Sequence, residues 1–143
     1  MEVVLDASVI VKWIFPDRRG ETHAGRALDV LRAFQAGRLS IVEPPHWLAE
    51  VAAVVTRLAP AQAPEVIGLL HAMELPVLDE MEVYLEAVRL SAESGEHVFD
   101  TLYHAVAFCR SDASLLTADE RYYRRGRRPG RLLLLSDFVA PAG

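Results

Sequence analysis

Four acids in this chain stand where an element begins, ends or borders an apolar face. Asp6 closes the apolar run at the N-terminus, Glu50 sits in a helical pattern between Trp47 and Val54, Asp100 opens another helical stretch, and Asp119 follows an apolar run. If the elements converge, so do the carboxylates. Converging carboxylates with no lysine beside them require a cation, and Lys12 is the one lysine in the sequence. Hard oxygen donors suit Mg²⁺ or Mn²⁺, and the commonest use of such a site is phosphate-ester chemistry.

Each acid also has an ordinary structural reading. Asp6 can accept a turn hydrogen bond from the Ser8 amide, and Asp100 can cap its helix. Thr117-Ala118-Asp119-Glu120 has capping-box spacing with Thr117 as the cap, and Glu50 can turn to solvent. Four acids at such positions together favour a shared site over four separate accidents. His104 follows Asp100 by four residues and shares its helix face. No second histidine has zinc-site spacing to it, so it reads as a packing or supporting residue. His23, His46, His71 and His97 read as surface or capping positions. Neither a glycine-rich phosphate loop nor a nucleophile elbow nor a Cys-His pairing is present.

The elements that must position these side chains alternate along the chain. Val3 to Leu5 reads as a buried strand, and Ser8 can cap a helix that runs to Phe15 before Pro16 stops it. Gly20 to Ala36 has helical spacing, Leu39 to Val42 reads as a second strand, and Pro44-Pro45 opens a helix with the stripe Trp47, Val51, Val54, Val55 and Leu58. Pro60 and Pro64 turn the chain into a helix ending near Met73, and Leu75 to Leu78 is a weak third strand. Helices are predicted over Glu80 to Ser94 and Val98 to Arg110, with further strands at Ser114 to Leu116 and Leu132 to Leu135. Short apolar strands separated by helices imply an α/β fold, with a parallel sheet covered on both faces. In such a sheet ligands bind at the carboxyl ends of strands where strand order reverses, which is where Asp6 and Asp119 fall.

The 143 residues suit one domain, with no repeat or linker between 1 and 143, and a hydrophobic share of 52% supplies its core. One cysteine, Cys109, excludes a disulfide framework and fits a reducing cytoplasm. The start MEVVLD has neither a basic leader nor an uninterrupted apolar span, so neither a signal peptide nor a membrane segment is expected. The net charge of −5 hides an asymmetry: residues 121–131 hold six arginines and no acid, so this segment is +6 and leaves −11 for the rest. Local charge decides where a phosphate backbone lies, so Arg121, Arg124, Arg125, Arg127 and Arg128 are candidate substrate contacts. A solvated arginine loop is the equally available alternative.

The motifs in this order resemble those of the PIN-domain ribonucleases, and within them the VapC-type toxins of toxin–antitoxin pairs. Val4-Leu5-Asp6-Ala7-Ser8-Val9, continuing to Lys12-Trp13, is similar to the first motif, and Pro45-His46-Trp47-Leu48-Ala49-Glu50-Val51 to the second. Phe99-Asp100-Thr101-Leu102-Tyr103-His104-Ala105 resembles the third and Thr117-Ala118-Asp119 the fourth. The resemblance implies a three-layer α/β/α sandwich with a short, mostly parallel central sheet. It implies Mg²⁺ or Mn²⁺ held by Asp6, Asp100 and Asp119, with Glu50 binding directly or through water, and Ser8 and Thr117 orienting those carboxylates. It further implies endonucleolytic hydrolysis of RNA, a homodimer in the cytoplasm, and a small antitoxin protein as partner. His104 stands where the family is often apolar, and the arginine segment is denser than the family's.

Two other functions compete. A phosphoryl-accepting receiver-like domain would want a second acid beside the nucleophile and a late lysine, and here Asp6-Ala7-Ser8 and Lys12 offer neither. A non-catalytic RNA-binding or scaffold module of the same fold would use the arginines and have no need of the four acids.

Overall fold

The structure is a computed structural model that describes residues 1–20 and 22–143. Four parallel strands form one sheet in the order β2-β1-β3-β4, with β1 at Glu2–Leu5, β2 at Ser40–Ile41, β3 at Ala113–Thr117 and β4 at Leu132–Leu134. Leu5 lies opposite Leu116, so β1 and β3 end side by side. The chain lays β2 on one side of β1, then crosses back to lay β3 and β4 on the other. The strand order therefore reverses between β1 and β3, which opens a crevice at their carboxyl ends.

Val3, Val4 and Leu5 are all completely buried although they point alternately to the two faces of the sheet, so helices cover both faces. One group consists of α1 (Ala7–Ile14), α2 (Ala24–Gln35), α3 (Trp47–Leu58) and α4 (Ala63–His71), in which α1 packs on α2 and α3, and α3 on α4. The other centres on α6 (Val98–Phe108), which packs on β1, β3 and α5 (Met81–Ser94). The Thr101 hydroxyl donates to the Ala87 carbonyl at 2.8 Å and ties α6 to α5. Gly95, at φ 76°, takes the left-handed conformation that ends α5, where a residue with a Cβ would be strained. A last helix, α7 (Glu120–Gly126), contacts β3 and β4. Among the described residues no helix is long and apolar enough to cross a membrane.

Several sequence expectations change in detail. The strand expected at Leu75 to Leu78 is an isolated parallel bridge between Glu43 and Val77. The Glu43 amide donates to the Pro76 carbonyl and the Leu78 amide to the Glu43 carbonyl, but Pro76 has no N–H with which to extend the ladder. The helix expected from Gly20 begins at Ala24, because Gly20 turns at φ 87° and His23 is also left-handed; Glu21 lies outside the described residues. Ser8 does not cap α1, since Asp6 occupies the cap position and the Ser8 hydroxyl bonds back to it. Nor is Thr117 a cap: it ends β3, and Asp119 caps α7 by accepting the Tyr122 amide at 3.0 Å. The capping-box spacing of Thr117 to Glu120 marked a helix start here, but no helix was predicted through the arginine-rich segment that follows.

Candidate active site

Asp6 leaves β1 and enters the crevice, with its amide donating to the Leu116 carbonyl at 3.0 Å. Two hydroxyls converge on its Oδ2: Ser8 at 2.5 Å and Thr117 at 3.2 Å. The same hydroxyls also accept, Ser8 from the Ala118 amide at 3.1 Å and Thr117 from the Asp119 amide at 3.0 Å. Hydroxyls that both donate and accept have fixed directions, so the ends of β1 and β3 are stitched together around one carboxylate oxygen. Asp119, on the β3 side of the same crevice, is exposed.

Glu50 approaches from α3 and Asp100 from the first turn of α6, both half-buried. The Tyr103 hydroxyl, one turn beyond Asp100, reaches Glu50 Oε2 at 3.4 Å. The four acids feel one another. Burial lifts the Asp6 carboxyl above its usual range, the hydrogen bonds from Ser8 and Thr117 pull it partly back, and Asp119 adds repulsion. Asp6 keeps some exposed surface, yet enough protein surrounds its carboxylate for desolvation to outweigh those bonds. Glu50 is raised by burial and then by Asp6 and Asp100; Asp100 is raised by burial and then by Asp6, Asp119 and Glu96. The nearby His97 offsets this repulsion at Glu50 and Asp100 only in part, and both carboxyls remain raised.

Sequence reasoning missed a fifth acid at this edge. Glu43 follows β2 and is completely buried, with Oε1 accepting the Leu5 amide at 2.9 Å and Oε2 without a hydrogen-bond partner. Burial pushes its carboxyl well above the usual range, and Asp6 adds to the effect. The available signal was an acid inside the buried run Ile41-Val42-Glu43-Pro44, where a charge is costly. His46 was read as a surface or capping residue; it occupies the N-cap position of α3, but its side chain makes no capping bond and turns inward instead. Its Nε2 donates to the Phe99 carbonyl at 2.7 Å, its ring lies against Phe99 and Tyr103, and its buried Nδ1 has no partner. His97 does cap α6, and His104 is a buried packing residue. The His104 Nε2 donates to the Gly130 carbonyl at 2.7 Å, which leaves Nδ1 to accept from the Tyr122 hydroxyl at 3.1 Å.

The arginines divide by environment. Arg125 pairs with the buried Glu96 at 3.1 Å, and Arg131 closes the carbonyls of Arg110 and Ala113 at 2.8 and 3.2 Å. Arg121, Arg124, Arg127 and Arg128 are exposed, with the Arg127 guanidinium 5.9 Å from the Tyr123 ring centre. On another surface α1, α2 and α4 enclose an apolar groove of about 610 Å³ lined by Trp13, Ile14, Leu31, Phe34, Leu69 and Met73 among others.

As they stand, the described side chains form no closed group of three or more metal donors. The donor set nonetheless fits a hard divalent cation. Its members are carboxylate oxygens at one sheet edge, neighbouring acids raise the proton affinity of Asp6, Glu50 and Asp100, and one buried carboxylate oxygen, Glu43 Oε2, has no hydrogen-bond partner among the described residues.

Comparison with known proteins identifies the family and fold. A family model described as PIN domain matches residues 3–128. Solved structures share the fold, and two of them illustrate it. One is a toxin–antitoxin complex from Klebsiella pneumoniae, with 14% identity, 93% of this chain and 97% of that chain covered, and a TM-score of 0.61. The other is VapBC2 from Rickettsia felis bound to a DNA fragment from their promoter, with 17% identity, 94% and 97% covered, and a TM-score of 0.65. No curated protein matches the sequence.

Proposed function

The chain belongs to the PIN domain family, and we propose that residues 1–143 are a single PIN-like domain acting as a metal-dependent endoribonuclease, the toxin of a toxin–antitoxin pair. The observation that carries this reading is the convergence of Asp6, Glu50, Asp100 and Asp119 on the crevice between β1 and β3, where Asp6, Glu50 and Asp100 are each raised by burial and by neighbouring acids. Mg²⁺ or Mn²⁺ held by these acids supplies Lewis acidity toward a phosphodiester oxygen and a water activated for attack.

The chain's own residues do the rest. Ser8 and Thr117 fix Asp6 by its Oδ2, and Tyr103 steadies Glu50. The exposed Arg121, Arg124, Arg127 and Arg128, on or just after the helix that Asp119 caps, supply charge for a polyanionic backbone. The apolar groove of α1, α2 and α4 suits an amphipathic helix of a small antitoxin. Met81, Leu85 and Val88 form an exposed stripe at helical spacing on α5, which suits a second copy of the chain. This reading implies a cytoplasmic protein.

The deciding experiment incubates the purified protein with total RNA and Mg²⁺ or Mn²⁺, with and without EDTA, and maps new 5′ ends. Discrete new ends that disappear with EDTA are expected. Cleavage that survives chelation removes the metal, and RNA binding without cleavage replaces the nuclease by the non-catalytic binding module.

A further inference from the structure

Strand β2 stops pairing with β1 too early to serve the Leu5 amide. The register Glu2↔Ser40 and Val3↔Ile41 is followed only by the Val42 amide donating to the Val3 carbonyl. At Leu5 a side chain takes the place of the missing strand: Glu43 Oε1 accepts the amide at 2.9 Å. An asparagine or glutamine could satisfy a lone amide without bringing an ionisable group into the core. A carboxyl here leaves Oε2 buried with no partner among the described residues, while Oε1 holds Leu5, the residue immediately before Asp6. Glu43 lies within electrostatic reach of Asp6 and of the Tyr103 hydroxyl that contacts Glu50. Its main chain is also held, by the hydrogen bonds to Pro76 and Leu78 on either side of Val77, so the carboxyl is anchored rather than trailing.

We propose that Glu43 is a fifth carboxyl of the metal centre: Oε1 fixes the end of β1 through Leu5, and Oε2 is offered to the divalent ion, directly or through one bound water, beside Asp6. This rests on the metal-nuclease reading above. The ion or its water completes the oxygen that the protein leaves unpaired, and the anchored strand end sets where Asp6 stands.

The test measures Mn²⁺ affinity from the paramagnetic resonance of free Mn²⁺, together with the melting temperature in EDTA, for wild type and Glu43→Gln. Glutamine keeps an oxygen for Leu5 and nearly the same shape, so the variant should melt close to wild type in EDTA. Its Kd for Mn²⁺ should rise about tenfold or more. An unchanged Kd in a normally folded Glu43→Gln protein overturns the proposal and leaves the nuclease reading intact. Absence of Mn²⁺ binding by wild type overturns both. Should Glu43→Gln fail to fold, the side-chain carboxyl carbon resonances of wild type decide the matter. Under the proposal the Glu43 signal moves with that of Asp6 during Mg²⁺ titration, and a Glu43 signal that stays still while Asp6 moves overturns it.

Discussion

His97 Nδ1 accepts the Phe99 amide at 3.2 Å, so the cap of α6 is His97 and not Asp100. Asp100 sits in the first turn instead, where a helix dipole favours an acid. Burial and the charges of Asp6, Asp119 and Glu96 nevertheless lift its proton affinity, so the net field opposes its charge. Asp100→Ala should therefore melt no lower than wild type in EDTA near neutral pH. It should also lose most of the Mn²⁺-induced rise in melting temperature, which mass action sets at about 2.7 kcal/mol for about a hundredfold excess over Kd. A capping role would instead cost about 0.5 to 2 kcal/mol on truncation, the loss expected of His97→Ala. Destabilised Asp100→Ala with a full Mn²⁺ response would remove Asp100 from the site.

The same repulsion has a pH signature. Asp6, Glu50 and Asp100 bind protons more tightly in the folded apo protein than in the unfolded chain. Their stabilisation is thus complete below the unfolded carboxylate range near about 4 and is lost as pH rises through the folded values. Half-buried His46 and buried His104 are shifted down, so they oppose this trend by losing stability as pH falls below about 6.5. Comparing Asp100→Ala with wild type cancels the histidines. In EDTA the variant should gain on wild type steadily from about pH 4 to about pH 7, and Mn²⁺ should invert the difference. A difference that does not change with pH would show that Asp100 carries no excess repulsion.

How far the site was legible follows from where each residue sits. Asp6 and Asp119 were readable because apolar runs ending in an acid mark strand ends, and a parallel sheet gathers strand ends at one edge. Ser8 and Thr117 were readable only through the resemblance, because hydroxyls bridging two strands are separated by more than a hundred residues in sequence, |i−j| being 111 for Thr117 and Asp6. Glu43 was not, since its role is to replace a strand carbonyl that β2 fails to supply, and pairing length is a tertiary outcome. Helix α7 was hidden by its charge: Arg-Tyr-Tyr-Arg-Arg reads as an arm until Asp119 is seen to cap it and Tyr122 to pack beneath His104.

The arginine segment now divides into a test and a control. Replacing Arg121, Arg124, Arg127 and Arg128 by glutamine should weaken single-stranded RNA binding and flatten its salt dependence by about 0.7 for each lost phosphate contact, without altering Mn²⁺ affinity. Arg125→Gln should act differently, lowering the melting temperature because it leaves Glu96 buried without its cation. An unchanged salt slope in the fourfold variant would assign these arginines to solvent or to the antitoxin.

Self-association should depend on α5. Met81, Leu85 and Val88 are 67%, 62% and 57% exposed, on a helix whose opposite side, through Val83, Ala87 and Leu90, is buried against the core. Leu85→Glu places a charge in the middle of that stripe without touching the core, so the fold should persist while sizing shifts from dimer to monomer. Wild type that already elutes as a monomer would rule the stripe out as a stable self-interface.

The groove of α1, α2 and α4 offers the cleanest separation of partner from substrate. Leu69 on α4 is 66% exposed yet faces Trp13, Ile14 and Phe34 across the groove, so it can contribute to a partner's burial while contributing little to this chain's own. Trp13 is a poorer probe because its indole N–H donates to the Ala27 carbonyl at 2.7 Å and braces α1 on α2. Leu69→Glu introduces an unpaired charge that an apolar helix face would have to desolvate, at a cost of several kcal/mol, or well over a hundredfold in affinity. Where a small protein is encoded beside this chain, co-expression with it should yield a stable, cleavage-suppressed complex for wild type. Leu69→Glu should elute apart from that protein, with the melting temperature and RNA cleavage of free wild type. If Leu69→Glu still co-purifies and is still inhibited, the antitoxin binds elsewhere; if wild type itself elutes apart with activity undiminished, the neighbouring protein is not its antitoxin.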